Sequence, residues 1–334
     1  MEFFNLKRTK MVDEAAYNHK PQLLIMTLFI FYLVYFIAQL LSNVIVSIAS
    51  MFWLLNDKEF ISFMKEYMEA TMSGEFDADY FTAVINSVVA RTPSWIVAVS
   101  LIAFVMLIAT AIFYCLKIEK RPLSSLGIRK GSFLKEYGIG VGIGLGMAGI
   151  AVLIAFLCGS VSIKANPDGI SPLIILFFVG FLIQGAAEEL MFRGYYMITV
   201  ARDYKVAIAV LVSSVVFSLA HTGNGGFNFL AFVNILLFGI FLGVYVFKRG
   251  DIWGACAIHS MWNFATGCIF GTSVSGMQNM SSFLVAEINE SKTLANGGSF
   301  GLEGGISATI VLLIAVCLVF LIKPNKKEIS VTEC

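Results

Sequence analysis

Three short runs in this chain carry side chains able to do chemistry, and all three lie in hydrophobic stretches, where an ionisable group is costly and marks a functional position by default. The first is Gln184-Gly-Ala-Ala-Glu188-Glu189-Leu-Met-Phe-Arg193-Gly194. On a helix Arg193 stands four residues after Glu189, within reach of its carboxylate. Glu188 is then turned about 100° around the helix toward another neighbour. The second run is Phe217-Ser-Leu-Ala-His221, and the third is His259-Ser-Met-Trp-Asn263, whose i,i+4 spacing points imidazole and amide the same way. The chain has three histidines, and the remaining one, His19, lies in the polar N-terminal tail. A carboxylate facing a neutral imidazole can hold a water and deprotonate it as a general base. A second imidazole beside an amide can donate hydrogen bonds to a developing oxyanion. Together they describe peptide hydrolysis without a Ser, Thr or Cys nucleophile. The same Glu188, His221 and His259, with Asn263, are also zinc-ligand types, although three separate segments without H-E-x-x-H spacing do not diagnose a metal.

The elements that position these groups follow from composition. Of 334 residues 58% are hydrophobic and 13% charged, with a mean hydropathy of +0.84. An ordinary soluble domain is roughly a quarter charged, so a soluble globular protein is excluded. A net charge of +1 offers nothing to nucleic acid. Eight apolar windows are candidates for membrane-crossing helices, at about 20 residues per crossing. They run over 23–48, 95–116, 137–158, 172–201, 206–220, 227–247, 252–271 and 306–322. The first is too long for a cleaved signal peptide and lacks a small-residue cleavage site. Counted by connection, with Arg193 taken with the fourth, 18 of the 23 Lys and Arg fall in the two terminal tails and the second, fourth and sixth connections. This alternation predicts both termini in the cytoplasm. The six cysteines form no C-x-x-C pair, so neither a disulfide framework nor a zinc knuckle is expected. Cys334, with no three residues after it, is not expected to form a prenylation box.

Hairpin geometry relates the first two runs. With a turn at 202–205, Glu188 and His221 each lie roughly 25 Å along their helices from it, at one depth. His259 lies only about 14 Å from Gly250. It reaches that depth only if the hairpin projects some two turns further or the seventh helix is displaced. Of the long connections, 56–92 carries Phe60, Ile61, Met64, Tyr67, Met68 and Met72 at helical spacing, which predicts an amphipathic helix on the membrane surface. Residues 273–305, rich in Ser, Gly and Asn, predict a mobile segment. The sequons at Asn279 and Asn289 matter only in a host that glycosylates. Gly144 to Gly149 is a formal G-x-G-x-x-G, but it lies inside one apolar window, where small residues four apart serve helix packing. Trp53, Trp95, Trp253 and Tyr204 near span ends read as interfacial anchors.

The ordered set Glu188-Glu189-x-x-x-Arg193, Phe217-x-x-x-His221 and His259-x-x-x-Asn263 resembles the three motifs of the CAAX protease and bacteriocin-processing family, also called the Abi family of intramembrane proteases. The resemblance covers roughly 172–271, with a weaker echo in Arg121-Pro-Leu-Ser-Ser-Leu-Gly127. It implies an all-α polytopic bundle of about eight transmembrane helices, one integral membrane domain over 1–334 with core helices at about 172–271, and a cavity opening to the cytoplasm. It also implies a glutamate-dependent endopeptidase. Glu188 and His221 would activate water, His259 and Asn263 would stabilise the oxyanion, and Glu189 and Arg193 would support them. No cofactor is expected, with zinc on Glu188, His221 and His259 as the alternative. The expected partners are membrane lipid and a peptide or membrane-protein substrate, lipid-modified or not, in a bacterial cell membrane. Two other functions fit the same residues. One is a non-catalytic bacteriocin self-immunity or scaffold protein. The other is a proton-coupled transporter, since buried Glu and His also form proton relays, although no inverted repeat of broken helices is visible.

Overall fold

The computed structural model describes residues 6–17, 20–73, 78–167 and 169–330. His19 and Cys334 lie outside the described residues. Long apolar runs become helices because a helix satisfies its own backbone polar groups where no water can. In chain order these are α1 (Lys10–Ala16), α2 (Leu24–Leu54), α3 (Lys58–Ser73), α4 (Ala78–Ala90), α5 (Ser94–Ile118) and α6 (Phe133–Leu157). Then follow β1 (Val161–Ala165), α7 (Leu173–Asp203), α8 (Val206–Leu219), α9 (Phe229–Arg249), α10 (Trp253–Phe264), β2 (Leu284–Ile288) and α11 (Ile306–Leu321). Proline and glycine punctuate them: Pro93 and Pro172 stand just before α5 and α7, and Gly250 ends α9 at φ +76°.

All eight predicted spans are helical. Five are long and apolar enough to cross a membrane: Leu24–Leu54, Ser94–Ile118, Lys130–Leu157, Leu173–Asp203 and Phe229–Arg249. Helices α8 and α11 are apolar but shorter, with 14 and 16 residues, and α10 has 12 residues continued by a π turn over Ala265–Ile269. Along α2, Phe29, Phe36, Leu40, Val44, Ile48 and Phe52 point outward and exposed. So continuous an apolar surface suits lipid, not water. The chain is an all-α polytopic integral membrane protein.

The connections segregate onto two opposite faces. On one, Thr9 bridges Ile329, Arg129 pairs with Glu14 and Glu328, Arg202 reaches Glu119, and Asn325 N donates to Lys248 O at 2.8 Å. This termini face thus joins both ends of the chain to the second, fourth and sixth connections. On the other, β1 pairs antiparallel with β2, Val161 opposite Ile288 and Ala165 opposite Leu284. Lys292 Nζ donates to Cys158 O at 2.8 Å, and Gly276 lies against Gly225. Thr92 and Ile96 line one surface pocket with Gly276 and Met277. The first, third, fifth and seventh connections therefore share this second face.

The expected mobility of 273–305 is corrected here, because these residues form an ordered cap on the second face. Val274, Asn296, Phe300 and Leu302 are buried in it. Gly276 and Gly301 have φ of +84° and +94°, and a Cβ on them would strike the Gly225 and Ser273 backbones respectively. Glycine here serves left-handed conformation and close approach rather than flexibility, a distinction that composition does not make. In 56–92 the helix is present, but part of its apolar face packs on α4: the rings of Phe63 and Tyr67 lie 6.2 and 5.4 Å from Phe81.

Candidate active site

Glycines bring the site-bearing helices together. A Cβ on Gly185 of α7 would stand 2.8 Å from Ser260 N of α10, so the bare glycine lets Glu188 and Glu189 approach His259. Gly140 and Gly144 of α6 press against Gly254, Ala257, Ile258 and Met261 on another face of α10, while Gly138, Gly142, Gly146 and Gly149 face open space. The small-residue packing expected of this run is thus carried by the pair four apart. The depth mismatch of His259 resolves by projection of the hairpin. Gly194 packs on Leu126 O and Ile252 Cδ1, so it is level with the start of α10. Glu188 is six residues before Gly194 and His259 seven after Ile252, roughly 9 and 10 Å along their helices. The remainder of α7 extends beyond that level, where Arg8 Nη1 donates to Ala201 O and Arg202 O at 3.4 Å.

The adjacent carboxylates separate as their helix positions require. Glu189 is fully buried, and its Oε1 accepts from Arg193 Nη1 at 2.8 Å and from His259 Nδ1 at 2.8 Å. Its role is broader than the ion pair with Arg193, since it also orients an imidazole. Glu188 is 6% exposed. Its Oε1 accepts from Gln184 Nε2 at 2.7 Å, and Gln184 Oε1 accepts from Asn263 Nδ2 at 2.9 Å. Because an ionised carboxylate only accepts, this chain of amides has one direction. Asn263 has therefore one N–H left to offer. Glu188 Oε2 has no hydrogen-bond partner and faces His259 Nε2 at 3.7 Å and His221 Nε2 at 3.9 Å.

The imidazole tautomers follow from the other ring nitrogens. His221 Nδ1 lies 2.8 Å from Phe217 O and His259 Nδ1 2.8 Å from Glu189 Oε1. Both partners can only accept, so both Nδ1 atoms donate, and each ring, when neutral, presents its Nε2 lone pair to Glu188. With both rings in that form three acceptors face one another, an arrangement that calls for a shared donor of hydrogen. Phe217 supplies the floor. The Arg193 guanidinium lies 4.0 Å from its ring centroid, and both imidazoles meet that ring edge-on, His221 at 4.8 Å and His259 at 6.0 Å.

All four expected principal residues, Glu188, His221, His259 and Asn263, and the supporting Glu189 and Arg193, meet in one place. Sequence reasoning missed Gln184, whose signal was an amide four residues before Glu188 in an apolar helix, and the Phe217 carbonyl, which carries no side-chain signal. A cavity of about 150 Å³ extends from the site, lined by Gln184, Glu188, His221, Asn234, Ser275 and Glu303 among others. In its wall Glu303 accepts from Trp262 Nε1 at 2.9 Å and from Ser275 Oγ, while Asn234 Nδ2 holds Glu303 O at 2.8 Å. Among the described residues no three His, Cys, Asp or Glu side chains are grouped so as to hold a metal ion.

Residues 170–265 match the family model of type II CAAX prenyl endopeptidase Rce1-like proteins. No curated protein and no solved structure matches the chain. The match spans α7 through α10 and so contains every group assembled around Glu188. The segment that builds this site is thus similar to type II CAAX prenyl endopeptidase Rce1-like proteins, the kind of protein to which its three motifs point.

Proposed function

We propose that this protein is an intramembrane endopeptidase in which Glu188 and His221 activate water. The observation that carries the reading is the convergence of Glu188 Oε2 with Nε2 of His221 and His259, both Nδ1 atoms being tied down behind them. A water there donates one hydrogen to Glu188 Oε2 and the other to His221 Nε2. Its oxygen adds to the substrate carbonyl carbon as Glu188 takes the first proton. The carbonyl oxygen becomes an oxyanion, held by the remaining N–H of Asn263 and by His259 when its Nε2 carries a proton. Glu188 passes its proton to the amide nitrogen as the C–N bond breaks, releasing an amine, and the second water proton, left on the new carboxyl group, passes to His221 Nε2, so that the other product leaves as a carboxylate. The substrate is a peptide or a segment of a membrane protein. The charge count supports a cytoplasmic location for both termini.

The test is hydrolysis of a fluorogenic peptide library by the full chain in detergent, with and without a zinc chelator. Glu188→Gln and His221→Ala should each lower the rate by about 10²-fold or more, the range for a general base, with chelation having no effect. Loss on chelation would transfer the same residues to a metal site. Unchanged rates in both variants would remove them from the chemistry. Glu188-dependent proton flux in proteoliposomes, without cleavage, would favour a transporter.

A further inference from the structure

We propose that the cavity receives its substrate from the face opposite the termini, the extracytoplasmic side, and that the substrates are polypeptide segments exposed there. This inference rests on Glu188 marking the reacting site. The resemblance implies a cavity open to the cytoplasm, and the charge count places the termini in the cytoplasm. The structure is compatible with one of these, because cavity and termini lie on opposite faces.

Each helix that lines the cavity does so between the level of Glu188 and its own cap-face end. Helix α7 enters from that face, and Phe181 and Gln184 lie between its entry and Glu188. Helix α9 enters from the same face and contributes Asn234, Ile235 and Phe238 from its first ten residues. Helix α11 contributes Leu312, seven residues in, and Val274, Ser275, Met277 and Glu303 belong to the cap itself. His221 lies two residues past the end of α8, next to the exposed Thr222 and Gly223. In the other direction the site is sealed. Arg193, Leu126, Met11 and Ile252 lie between Glu188 and the termini face, all at most 1% exposed.

The orientation of the two faces follows from charge. The tails and connections of the sealed face carry 17 of the 23 Lys and Arg, with Arg193 buried above them. The connections of the cap face hold only Lys58, Lys65, Arg91, Lys164 and Lys292, and the longest, between Leu54 and Ser94, is 39 residues, short enough for the bias to operate. The open face is thus the one that the charge rule sends outward.

The experiment reads the sidedness of single cysteines in the full chain expressed in intact cells. The exposed Cys158 and Cys317, together with Cys334, are replaced by Ser, while the other three cysteines are buried. Thr222→Cys beside His221, Ser275→Cys in the cavity wall and Lys326→Cys on the termini face are treated with a small membrane-impermeant thiol reagent. Full labelling of Thr222→Cys and Ser275→Cys in intact cells is expected, with Lys326→Cys labelled only after permeabilisation. Labelling of Lys326→Cys in intact cells while Thr222→Cys stays silent would overturn the orientation. Labelling of Ser275→Cys in inverted vesicles and not in intact cells would overturn the route of access. Because Thr222 and Lys326 are exposed, these replacements leave the packing untouched. The readout needs no catalysis, so a labelled cavity without peptide hydrolysis would defeat the protease reading and leave the orientation standing.

Discussion

Two neighbouring carboxylates in one apolar helix take different parts because consecutive helix positions face different neighbours. Glu189 sits between Arg193 and His259, and Glu188 is left with a free oxygen in front of two imidazoles. This division makes the structural and positioning contributions of Glu189 separable. Glu189→Leu alone strands the buried Arg193 charge, and loss of one partner from a buried pair costs about 3–5 kcal/mol. The melting temperature in detergent should fall sharply. Glu189→Leu combined with Arg193→Met removes both charges and should recover most of that stability, yet peptide hydrolysis should stay depressed because His259 Nδ1 has lost its acceptor. Recovery of hydrolysis along with stability would reduce Glu189 to a packing element.

At the scale of elements, the site depends on how closely α6 and α7 approach α10 and on the level at which they meet it. The six glycines of α6 look alike in sequence and differ in surroundings. A Cβ at Gly140 would overlap Gly254 O and stand 2.7 Å from Ala257 Cβ, whereas nothing lies within 4 Å of one at Gly142. Gly140→Ala should therefore destabilise by about 1–3 kcal/mol, the usual penalty of overpacking. Gly142→Ala should leave the melting temperature unchanged or slightly raised. Equal effects at both positions, measured by thermal unfolding in detergent, would contradict the packing of α6 on α10. The level of α10 is set in the same way, by Gly194 seating on Leu126 and Ile252 and so placing His259 opposite Glu188.

The molecule as a whole has two unlike faces, one basic and sealed, the other capped and lined by the cavity. The cap is held by glycine contacts and by Glu303, so its order should be sensitive to a single methyl group. Gly276→Ala would place a Cβ against the Gly225 backbone at a φ of +84°, a conformation that side chains disfavour. Limited proteolysis of this variant in detergent should cut within 271–305 faster than in the unaltered chain, and an unchanged pattern would show that the cap does not depend on this contact. The helical class, the positions of the eight helices, the alternation of charge and, Gln184 and the Phe217 carbonyl apart, the groups gathered around Glu188 were legible in the sequence. Each is written locally, in runs of apolar residues, in i,i+4 spacings, and in the rarity of ionisable groups where lipid penalises them. The residues that line the cavity, the order of 273–305, and the links from Gln184 to Asn263 and from Glu189 to His259 were decided only by the tertiary structure. They depend on which surfaces touch across segments up to about 80 residues apart, and a close approach at glycine has the same composition as a flexible loop until the neighbouring backbone is in place.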